Sequence, residues 1–189
     1  INSFDAQYGL DYDQRTKLEK ILQERDTVTW NSAQYVNKLQ QPGYSTYSEE
    51  DKKQAADFYA SIGLYQHLAN RNQEFVQGTL IPVTAQTHYI PPNVAQSLQS
   101  QMGSADPKQA IFALDTLNQL RGTDAVSFNK AFSEDTQMAV ALFNAAKESI
   151  PQEQLLTYIR NQADPAMKPI IDRRKELIKE EVKLNREDF

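Results

Sequence analysis

Cysteine is absent from this chain, which removes disulfides, thiol catalysis and any zinc site built on thiolates, though it does not fix the compartment. Histidine occurs only at positions 67 and 88, neither with a second histidine or a carboxylate at ligand spacing, and no HExxH run is present. Both are read as polar surface or hydrogen-bonded, partly buried residues, so no metal and no cofactor is expected. The GxSxG, Walker A and GxGxxG patterns are missing as well. Glycine is scarce, six residues in 189, which suits helices better than a turn-rich β fold. Positive charge is in deficit, with a net charge of −5, which argues against a general nucleic-acid surface because phosphate binding needs clustered Lys and Arg. No apolar run approaches the roughly 20 residues needed to span a bilayer, and no signal peptide is visible.

What remains is ordinary globular composition, 40% hydrophobic and 24% charged, enough to bury a core and too apolar for wholesale disorder. Glutamine, about one residue in ten against usual compositions led by Leu, Ala and Gly, supplies polar helix faces without charge. The clearest helical signals lie between Asp106 and Ser149. Asp106 is placed to cap a helix, with Pro107 at its first position and Gln109 completing a capping box. Ala110, Ala113, Leu114, Leu117 and Leu120 recur at helical spacing, and Gly122 is placed to take the left-handed conformation at the end. A short unit follows with Phe128, Ala131 and Phe132. Ser133 then caps a third, whose stripe is read as Met138, Ala139, Leu142, Ala145 and Ala146.

Upstream, residues 11–25 place Leu18, Ile21 and Leu22 on one stripe, and Thr27 or Thr29 is read as starting a new helix through Leu39. Trp30, the single tryptophan, is expected to anchor core. Ser48, followed by three carboxylates, caps a long helix with Ala55, Phe58, Tyr59, Ile62, Tyr65 and Ala69 inward, reaching Asn72. Residues 78–92 contain three prolines and are expected to form an extended connection. Pro92, Pro151 and Pro169 each open a further helix. The expectation is an all-α chain in two packed groups: an N-terminal unit at 1–77, the linker at 78–92, a C-terminal unit at 93–164, and a charged terminal helix at 165–189.

That last helix carries two narrow apolar tracks. Ile171, Ile178 and Val182 form one, while Ile170, Leu177 and Leu184 recur at sevens beside it. Narrow heptad-like tracks suit a seam with one partner helix better than burial in a bundle, so Ile171, Leu177, Ile178, Val182 and Leu184 are the candidate contact residues. Glu176 with Lys179, and Glu180 with Lys183, stand at i, i+3 and are expected to pair.

Two resemblances bear on function. Glu148-Ser149 resembles the Glu-Ser pair carrying the general acid of soluble lytic transglycosylases, which would make the chain a muralytic enzyme fragment. The Gly-Leu-Met-Gln stretch that accompanies it in that family is missing, and Ile150-Pro151 follows instead. The second resemblance runs over residues 90–150: Ile90-Pro91-Pro92, Ala95, Leu98, Asp106, Ala110, Leu114, Leu117, Phe128, Ala131-Phe132, and Asp135 to Ala139. Its rhythm is similar to helical segments in the large internal virion, or DNA-ejection, proteins of tailed bacteriophages, some of which carry a transglycosylase domain elsewhere. It implies a non-catalytic structural segment of a larger polypeptide, located in the virion, whose partners are copies of itself or other virion proteins. The first residue, Ile1 rather than Met, is read in the same sense. A generic helical protein-interaction domain is the alternative.

Overall fold

The computed structural model describes residues 9–45, 47–163 and 168–187. They form ten helices, and there is no strand among the described residues. Helix α1 spans Tyr12–Leu39, α2 Glu49–Ser61, α3 Leu64–Ala69, α4 73–87, α5 Pro92–Met102, α6 Pro107–Thr123, α7 Ala125–Ala131, α8 Glu134–Ala146, α9 Gln152–Ala163 and α10 Lys168–Glu187. The chain divides into two compact units, residues 1–97 and 98–189, with the division falling inside α5. The all-α class is as expected.

In the first unit, Asp11 starts α1 with a reciprocal capping box: its carboxylate accepts from the Gln14 N–H at 2.8 Å, and the Gln14 side chain accepts from the Asp11 N–H at 3.1 Å. The helix then runs 28 residues without the break expected at Thr27 or Thr29. Both hydroxyls instead donate back to carbonyls four residues earlier, Gln23 at 3.0 Å and Arg25 at 2.9 Å, which lets threonine sit inside a helix. Packing against α2 begins late along α1, whose buried residues are Ser32 and Tyr35. Three polar ties fix this pairing: Lys38 with the Asp51 carboxylate, Asn31 Nδ2 donating to Asp57 at 2.9 Å, and the Ser32 and Ser61 hydroxyls at 2.7 Å. Trp30 stands just before the buried stretch and is 60% exposed, so it is not the expected core anchor.

The core of this unit is aromatic. Tyr44, Tyr35, Phe58, Tyr59 and Phe75 follow one another at centroid distances of 6.1, 5.5, 5.2 and 6.4 Å, and His67 stacks flat on Phe75 at 4.7 Å. Edge-on and tilted contacts of this kind suit the quadrupoles of the rings. The helix expected to run unbroken from Ser48 to Asn72 is instead divided at Gly63, whose φ of 81° only glycine adopts without strain.

Residues 78–92 are not the expected extended linker, because α4 runs through most of them. Pro82 should clash with the carbonyl of Gly78 in a regular α-helix. Here Val76–Leu80 form a π turn in which the Ile81 N–H bonds the Val76 carbonyl, five residues back. The wider turn relieves the clash and leaves Pro82 at the start of the α-helical part, Ile81–Thr87, where a missing N–H costs little. His88, at φ 53°, closes the helix.

In the second unit α6 is the central element, with Ala110 to Leu114, Thr116, Leu117 and Leu120 all buried. Asp106 accepts from the Lys108 N–H at 3.0 Å, as a cap should. Gly122 does not end the helix. It lies within α6, and Asp124 both closes α6 and caps α7 by accepting from the Ser127 N–H at 3.0 Å. Phe128 and Phe132 lie beside each other at 4.9 Å between centroids, and both are buried. Helix α8 presents a face rotated from the expected one: Ala139, Val140, Phe143 and Ala146 are buried while Met138 is exposed. Both stripes have helical spacing, and the one that hides Phe143 removes more apolar area from water. Leu155, Leu156 and Ile159 of α9 complete this core.

The Lys38–Asp51 pair yields a prediction. The hydrogen bond from Lys38 holds the Asp51 carboxyl below its usual range, and Asp51 in turn raises Lys38. A carboxyl depressed on folding adds stability above its unfolded pKa of about 4 and loses that contribution as pH falls through the folded value. Asp51→Asn is therefore expected to lower stability by about 1 kcal/mol at pH 7, with the difference from the parent chain vanishing in acid below the folded-state pKa. Denaturant titrations of both chains across pH check this.

Candidate interaction surface

The terminal helix α10 places the candidate contact residues in the open. Ile170, Leu177, Ile178, Val182 and Leu184 are each between 46 and 61% exposed. Every side chain of α10 whose exposure is described is exposed, the charged as well as the apolar. The side chain of Ile171 lies outside the described residues. Arg173 donates to Glu176 at 3.2 Å, one helical turn on, so the carboxylate expected to serve Lys179 is held from the other side. A 20-residue helix is about 30 Å long. The apolar residues of both tracks whose exposure is described are open to water.

Sequence reasoning missed a second exposed surface, the first half of α1. At about 1.5 Å per residue, a 28-residue helix is roughly twice the length of the 13-residue α2. The excess carries Tyr12 and Ile21 into solvent, and Trp30, alongside the stretch that packs on α2, is exposed as well. A groove of about 580 Å³ is lined by Glu19, Leu22, Gln23, Asp26, Thr27 and Trp30, and one of about 440 Å³ lies where Lys20, Glu24 and Val28 face Lys53 and Asp57 of α2. The signal was available: charges fall on several sides of α1 between Asp13 and Asp26, a pattern that leaves no wide apolar face to bury.

The remaining candidates sit apart. His67 is half-buried, its Nδ1 3.0 Å from the Asn72 amide, and with Phe75 beneath its ring it braces the turn between α3 and α4. His88 is exposed at the end of α4. Glu148 is exposed in the turn after α8 and lines neither groove. Among the described residues there is no group of three or more His, Asp or Glu able to hold a metal ion, and no helix long and apolar enough to cross a membrane. Comparison with protein-family models, with curated proteins and with solved structures produced no match.

The exposure of Trp30 is open to direct measurement. Trp30→Ala is expected to change unfolding free energy by less than about 0.5 kcal/mol, as surface substitutions do, whereas a core tryptophan costs about 3–5 kcal/mol. Tryptophan emission from the native chain should be quenched by iodide nearly as efficiently as from the denatured one.

Proposed function

We propose that this chain is a non-catalytic assembly segment of a larger polypeptide, working by helix-to-helix contact with protein partners. The observation that carries the reading is α10, whose apolar residues from Ile170 to Leu184 stand exposed along about 22 Å of helix. Apolar residues exposed in line along one helix mark a contact site. The rhythm of residues 90–150 adds the setting: an internal virion protein of a tailed bacteriophage, helping to form the conduit through which the genome leaves the capsid. Partners are then further copies of the same protein or neighbouring virion proteins. The open position of Glu148 supports the non-catalytic half of the reading.

Two observations test it. Reading frames flanking the gene are expected to encode capsid, portal and tail proteins; a metabolic operon there would end the virion assignment. The purified chain is expected not to clear a peptidoglycan suspension. Clearing that disappears in Glu148→Gln would replace the assembly role with a muralytic one.

A further inference from the structure

We infer that α10 pairs antiparallel with α10 of a second copy of this chain, an inference that rests on the assembly reading and names its partner. It stands on the charges that lie between the two apolar tracks. At about 100° per residue, positions 170, 177 and 184 fall on one side of a line through positions 174 and 181, with positions 178 and 182 on the other; the side chains of Arg174 and Lys175 lie outside the described residues, and what counts here is their place in the helix alone. The centre of the seam therefore holds one basic and one acidic position.

Orientation follows from that. Two copies laid parallel in register set Arg174 against Arg174 and Glu181 against Glu181, like charges at the middle of a desolvated seam, an arrangement that interfaces avoid. Turning one copy end for end, about a twofold axis beside Leu177, sets Arg174 against Glu181 of the second copy, and the symmetry repeats the pair in the other half. The same operation lays Leu177 beside Leu177 and Ile170 beside Leu184, so the charged and apolar pairings share one register to within a residue. The basic run Arg173-Arg174-Lys175 then lies along the acidic pair Glu180-Glu181 of the second copy. Antiparallel helix dipoles add to the preference. A surface that complements itself under a twofold axis is what an isologous dimer requires. A membrane-surface helix, by contrast, carries a predominantly basic polar face, and here Asp172, Glu176, Glu180 and Glu181 are interspersed with the cations.

The absence of cysteine makes the full chain a clean background for cross-linking. Sedimentation equilibrium is expected to show a concentration-dependent dimer. Under mild oxidation Leu177→Cys should form a disulfide-linked dimer with itself. Ile170→Cys and Leu184→Cys should each remain unlinked alone and join when mixed. Glu181→Arg should weaken the dimer by roughly tenfold or more, and combining it with Arg174→Glu should restore it, with circular dichroism confirming that helix content is unchanged. Self-linking of Ile170→Cys, or failure of the charge exchange to rescue, overturns the antiparallel register. A chain that stays monomeric at every concentration overturns self-pairing altogether, while the assembly role is decided separately by the flanking genes and the clearing assay.

Discussion

A helix that carries apolar side chains at regular spacing has to cover them, and the breadth of the stripe decides what can do the covering. Helix α6 meets the requirement within its own unit, with eight residues hidden by the helices around it. Helix α10 does not: its apolar residues form two narrow tracks, and each one described is open to solvent. At roughly 25 cal/mol per Å² of apolar surface, leaving such tracks wet forgoes several kcal/mol that a matching helix would recover. The contrast between these two helices underlies the functional account, since the chain buries its apolar groups wherever the stripe is broad.

Much of this was legible in the residues. The caps expected at Ser48, Asp106 and Ser133 all form, because an oxygen two or three residues ahead of free backbone N–H groups has an obvious partner. The α6 stripe is buried as its spacing implied. Position 82 misled because proline's penalty in a helix was weighed without the π turn that relieves it. Gly122 misled because Asp124, two residues on, ends the helix through an extended backbone and a cap of its own. Trp30 misled because burial depends on which face of α1 meets its neighbour: Asn31 and Ser32 tie to α2, while Trp30, one position earlier, stays exposed. The candidate contact residues were visible as a pattern. Their exposure became clear only with the fold.

The polar groups tell a compatible story. The buried or half-buried ones described above serve the fold: His67 braces a turn, Asn31 and Ser32 tie α1 to α2, and Thr136 donates to Gln99 at 2.9 Å within the second unit. The numerous carboxylates either cap helix starts or lie on solvated faces with cations interspersed, as Glu176 does with Arg173.

The central claim is that α10 serves contact between molecules and contributes little to the stability of the unit from which it extends. Deleting residues 172–189 from the full chain and measuring melting temperature and self-association together tests it most directly. The account predicts a melting temperature changed by less than about 3 °C, with self-association lost. A truncated chain that melts far lower, from a parent that was monomeric throughout, would contradict it and return α10 to the core.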